Sequence, residues 1–136
     1  MSADFIVYSE TGKLTALVGV SGYPETSAEW AEEQVDSFLR TFDPPYLVLV
    51  ARDHIWFWQD PAHNPKPVGA VLTEEHLEKY LQPLRVKAAD MYIGALEATV
   101  LSWMFDVTTG VSTLPDFVRS IGFIDAVHWG DVQIAA

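Results

Sequence analysis

Leu14-Thr-Ala-Leu-Val-Gly-Val20 is apolar at nearly every position rather than at every second one. A strand with one solvated face alternates, so this run predicts a central strand covered on both sides. Just before it, Phe5-Ile-Val-Tyr8 reads as a neighbouring strand, with turn residues Ser9-Glu-Thr-Gly12 between the two. Beyond it, Ser21-Gly-Tyr-Pro24 breaks the pattern. Thr26-Ser-Ala-Glu29 then has the spacing of a capping box, in which two side chains satisfy orphan backbone donors at a helix start. That helix is predicted to run to about Thr41, with Ala31, Val35, Phe38 and Phe42 on one stripe and Trp30 and Leu39 beside it. Glu29, Glu32, Glu33 and Asp36 gather near its start, where the helix dipole favours negative charge, and read first as a solvated face.

Pro44-Pro45 launches Tyr46-Leu-Val-Leu-Val50, the strongest strand signal in the chain, and residues 55–58 return as its hairpin partner. On that return strand Trp56 and Trp58 share one face while Ile55 and Phe57 share the other. Residues 59–71 carry three prolines and read as a surface loop. Thr73 is expected to cap a short helix to about Leu81, stopped by Pro83. A longer helix is predicted over 88–107, with Ile93, Leu96, Val100, Trp103 and Val107 on one stripe and Gly110 placed to end it. A short helix at 115–121, a turn near 125–129 and a small strand at 132–134 complete the chain. This order predicts a single α/β domain over residues 1–136, with a mixed sheet of about four strands flanked by helices.

Composition bounds the function. The chain has 136 residues, 49% hydrophobic and 20% charged, with 8 basic against 19 acidic side chains and a net charge of −11. That balance argues against nucleic acid as a partner, because phosphate binding draws its affinity from Lys and Arg. With no cysteine, disulfides, thiolate metal sites and cysteine nucleophiles are excluded. No apolar run approaches the roughly 20 residues that span a bilayer. Met1-Ser-Ala-Asp4 has neither a basic region nor a signal-like apolar segment, so a soluble, cytoplasmic protein is expected. His54, His63, His76 and His128 show no pair at metal-ligand spacing, and no P-loop, G-x-G-x-x-G or G-x-S-x-G motif is present.

Other features carry a resemblance. Asp4 opens a first strand, a buried strand ends at Val18-Gly-Val-Ser21, an acidic helix led by Ser27-Ala-Glu-Trp-Ala31 follows, and Pro45-Tyr-Leu-Val-Leu-Val50 comes next. Leu101-Ser-Trp-Met104 and Ile121-Gly-Phe-Ile-Asp-Ala126 belong to the same pattern. Together these segments resemble the restriction-endonuclease-like, PD-(D/E)XK superfamily, in particular its small bacterial members. The resemblance implies a nuclease-like fold in which an Asp on the first strand and the Glu of E-x-K on the second bind Mg²⁺, while the Lys positions the attacking water. A hard cation wants oxygen ligands and lowers the pKa of its water, which is what phosphodiester hydrolysis needs.

Carried over residue by residue, Asp4 matches the first acidic position, but E-x-K falls on Gly19-Val20-Ser21. Gly19 has no ligating side chain and Ser21 no charge. Lys13, the nearest cation in the hairpin, lies roughly 24 Å from residue 20 along an extended strand, at about 3.4 Å per residue. Asp4, Gly19 and Ser21 are therefore expected to be vestigial, without metal or cofactor, and the protein to be a non-catalytic member acting through protein–protein contact, as a homodimer. The alternative is a Mg²⁺-dependent nuclease whose site is rebuilt from Asp4 with Glu29, Glu32 or Glu33. A third possibility is a small-ligand protein using space left by Gly19 and Ser21 beside Trp30. For association, the second hairpin with Trp56 and Trp58, and the late helix with Trp103 and Met104, are the expected interaction surfaces.

Overall fold

The computed structural model describes residues 2–135; Met1 and Ala136 lie outside the described residues. The central run forms strand β2 (Leu14–Val20), buried from Thr15 onward. On one side it pairs antiparallel with β1 (Phe5–Tyr8), in register Phe5 with Val18 and Val7 with Ala16. On the other side it pairs parallel with β3 (Tyr46–Val50), from Ala16 with Tyr46 to Val20 with Val50. The central place of β2, with Phe5–Tyr8 beside it, agrees with the sequence reading.

Helix α1 (Ala28–Phe38) makes the crossover between the parallel strands. Its start differs by one residue from the expected capping box. Ser27, not Thr26, is the N-cap, its hydroxyl accepting from the Trp30 N–H at 3.1 Å. The Thr26 hydroxyl is already committed elsewhere, donating to Asp53 Oδ1 at 2.7 Å and accepting from Trp56 Nε1 at 3.0 Å.

The sheet has six strands, not four, in the order β5-β4-β3-β2-β1-β6. The return strand β4 (His54–Gln59) pairs antiparallel with β3. Part of the expected proline-rich loop is instead β5 (Gly69–Leu72), antiparallel to β4. Beyond β1, at the opposite edge, lies β6 (Asp131–Ile134).

After β5 come two single-turn helices, α2 (Thr73–His76) and α3 (Glu78–Leu81), and 3-10 turns at Gln82–Leu84 and Ala88–Asp90. Thr73 sits at the first turn of α2, but its buried hydroxyl donates to the Ala51 carbonyl (2.8 Å) rather than capping the helix. The long helix α4 (Ile93–Thr108) begins later than periodicity alone predicts, and α5 (Asp116–Ser120) and α6 (Phe123–Val127) precede β6.

Two apolar cores lie on the two faces of the sheet. One joins Val7, Val18, Val48 and Phe57 to Leu77 of the α2–α3 turn and to Leu96, Val100 and Trp103 of α4. The other joins Ile6, Leu17, Leu47, Leu49, Trp56 and Trp58 to Ala31, Val35 and Phe38 of α1. Continuous apolar strands are what two covered faces require, and Leu14–Val20 and Tyr46–Val50 supply them.

Candidate functional site

In open α/β sheets the ligand crevice lies outside the carboxyl ends of the parallel strands. Here β2 and β3 end side by side, and the Ser21 N–H donates to the Val50 carbonyl at 2.8 Å. The three positions singled out by the resemblance, Asp4, Gly19 and Ser21, are all found at this end.

Asp4 sits one residue before β1, half-buried, and its Oδ2 accepts the Val20 N–H at 2.7 Å. Burial pushes its carboxyl above the usual range; the bond from Val20 opposes the rise, and the charge of Glu97 on α4 adds to it. The carboxylate is thus spent on the backbone of the next strand. Ser21 is buried, and its hydroxyl accepts the Tyr23 N–H at 3.1 Å to shape the turn leaving β2.

Gly19 is decided by packing. A Cβ built there would lie 2.5 Å from Cζ and 2.6 Å from Cε1 of Phe38, and 3.3 Å from Cδ1 of Leu49. The ring of Phe38, on the last turn of α1, therefore fills the volume that a motif glutamate would need. It also fills the space beside Gly19 in which the third reading placed a small ligand.

The rebuilt acidic site of the alternative reading is not assembled among the described residues. Glu29 and Glu33 are exposed and Glu32 half-buried along α1, and among the described residues no three His, Asp or Glu side chains gather where they could hold a metal ion. The expected interaction tryptophans are interior. Trp56 and Trp58 pack beneath α1 and Trp103 is fully buried in the opposite core, so none of them offers a surface. For Trp56 and Trp58 the physical reason is that β5 makes β4 an inner strand while α1 covers the tryptophan face; Trp103 is buried where α4 packs on the other face.

Sequence reasoning missed a polar cluster at the end of β3. Asp53 accepts both the Thr26 N–H and the Thr26 hydroxyl at 2.7 Å. His54 Nδ1 lies 2.9 Å from Asp53 Oδ2, close but poorly aligned for a hydrogen bond. Burial alone would raise the Asp53 carboxyl, but the Thr26 donors and His54 outweigh it and hold it below the usual range. Beside it the Arg52 guanidinium donates to the carbonyls of Gly22 (2.9 Å), Ala88 (3.3 Å), Ala89 (3.5 Å) and Met91. The adjacent Arg52-Asp53-His54 was visible in the sequence, but its partners are remote in the chain and no motif announced them.

Chemically, these groups are taken up by one another and by the backbone, His54 Nδ1 excepted. A guanidinium shared among four carbonyls is not free for a phosphate, and the carboxylates are engaged by backbone and hydroxyl donors. In comparison with known proteins, no family model matches the chain, and neither a curated protein nor a solved structure matches it.

Proposed function

We propose that the chain is a non-catalytic, nuclease-like domain of the cytoplasm that acts through protein–protein contact. The observation that carries this reading is the Phe38 ring seated over Gly19, where the essential acid of a nuclease would stand. The order of an antiparallel hairpin, a helix and a parallel strand supports the restriction-endonuclease-like part of the proposal. No described helix is long and apolar enough to cross a membrane.

The test is direct. Purified protein incubated with DNA or RNA and Mg²⁺ or Mn²⁺ is expected to cleave neither above a mock preparation. Metal-dependent cleavage that disappears in Asp4→Ala overturns the proposal in favour of a nuclease with a rearranged site. Light scattering at low and high salt reads the expected homodimer, whose contact must come from residues other than the three buried tryptophans.

A further inference from the structure

Strand β6 closes one side of the sheet, with β1 as its only strand neighbour among the described residues. Its register fixes which backbone groups face outward. The Ala135 N–H donates to the Asp4 carbonyl at 2.9 Å, so the bonded pairs continue as Ile6 with Gln133 and Tyr8 with Asp131. The N–H and C=O groups of Val132 and Ile134 therefore point away from β1. No backbone bond from outside the sheet reaches either residue among the described residues. Apart from its shortness, Asp131-Val-Gln-Ile134 lacks the usual protections of an edge: it has one charge, no proline and no shift of register.

Apolar side chains stand exposed at both ends of this edge. Ile134 is 72% exposed and Trp129 is 58% exposed. Trp129 also has φ +58°, a left-handed conformation that bulky residues rarely adopt. The turn is locked there: the Trp129 N–H donates to the Thr108 carbonyl at 2.7 Å, and a Cβ on Gly130 would lie 2.8 Å from the Val127 carbonyl oxygen. Backbone strain that the surroundings enforce, spent on presenting an aromatic ring to solvent, is characteristic of binding positions.

Between Trp129 and the β1–β2 turn runs an open groove of about 570 Å³, whose lining includes Tyr8, Glu10, Asp131 and Gln133. Both charged residues of that lining are acidic, on a chain of net charge −11.

Building on the non-catalytic reading, we infer that β6 takes up an extended, basic segment of a partner protein as an additional strand. Successive side chains of such a strand alternate between faces. Every second one projects over the groove towards Glu10 and Asp131, and the others lie beside Val132 and Ile134. Backbone pairing supplies affinity and the alternating pockets supply choice, the logic of strand addition. A second copy of this chain fits less well, because it brings acid to an acidic groove.

The experiment uses a fluorescent peptide of alternating lysine and valine, with binding read by anisotropy. It is expected to bind about tenfold more tightly than its glutamate–valine counterpart, because like charges across an interface are penalised. N-methylation of alternate peptide bonds, which removes ladder donors without touching the protein, is expected to weaken it about tenfold, as the loss of one or two net hydrogen bonds dictates. Ile134→Pro, which removes an outward N–H and none that pairs with β1, should act alike. Equal binding of the acidic peptide, binding indifferent to both N-methylation and Ile134→Pro, or no binding sinks the inference. So does a dimer in which Ile134→Pro abolishes self-association, which assigns the edge to a second copy. Each of these results is distinct from metal-dependent cleavage, which would instead remove the non-catalytic reading.

Discussion

At the scale of single residues, Gly19 and Asp4 make separable predictions. Gly19→Ala must displace the Phe38 ring, so a loss of about 1–3 kcal/mol is expected in chemical denaturation, the usual cost of overpacking. Combining it with Phe38→Leu should recover part of that loss, since residues in contact couple in a double-mutant cycle. If the two changes simply add, Phe38 is not what excludes a side chain at position 19. Asp4 is expected to behave differently. Its folded pKa is raised, so its contribution to stability is full below pH 3.8 and declines as the pH rises through the folded value. Asp4→Asn removes that decline while still accepting the Val20 N–H, and should be at least as stable as the parent at pH 7. Asp4→Ala leaves the donor without its partner and should cost about 1–2 kcal/mol. The residues of the resemblance were legible as a set, because Asp4, Gly19 and Ser21 are few and local. The Thr26–Asp53 pair was not, because 27 residues separate its members and each has an ordinary local explanation as cap or turn residue.

Whole elements were legible where one periodicity dominated and illegible where local chemistry had two uses. β1, β2, β3 and the core stripe of α1 follow from apolar runs and spacing. β5 was hidden because Pro65 and Pro67 lie just before a run of only four residues, and proline argues for loop until a partner strand is known. Helix α2 shows a further property that periodicity does not reveal. The ring of His76 packs edge-on against Trp103, with centroids 5.4 Å apart, and its Nε2 is buried without a hydrogen-bond partner. Burial holds its pKa below 6.5, so the unfolded chain takes up a proton more readily than the folded one. Stability is therefore complete above about pH 6.5 and falls as the pH drops towards the folded value, with the slope of one proton. His76→Phe keeps a ring against Trp103 and removes the titration. Urea midpoints measured between pH 7 and 5 are expected to show a smaller fall in the variant than in the parent. Equal slopes would assign the pH dependence to other groups.

Over the whole molecule, charge is the property that neither the motifs nor the packing can localise. Nineteen acids against eight bases leave −11, while the ion pairs among the described residues are few: Lys79 reaches Asp106 at 3.3 Å, and the other two pairs involve His54 and His63. Most of the acidity is therefore solvated and mutually repulsive, which opposes the compact state at long range. Salt shortens the reach of that repulsion, from about 30 Å at 0.01 M to about 8 Å at 0.15 M. Raising sodium chloride across that interval at pH 7 should thus raise the thermal midpoint, by a few degrees if about 1 kcal/mol of repulsion is screened. The same salt should weaken the lysine–valine peptide at β6, because there the charges attract. One variable then moves stability and binding in opposite directions. A midpoint that stays flat or falls would mean that local attraction, not net charge, governs the electrostatics of the fold. Peptide binding that strengthens with salt would mean that apolar contact with Trp129 and Ile134, rather than Glu10 and Asp131, selects the partner.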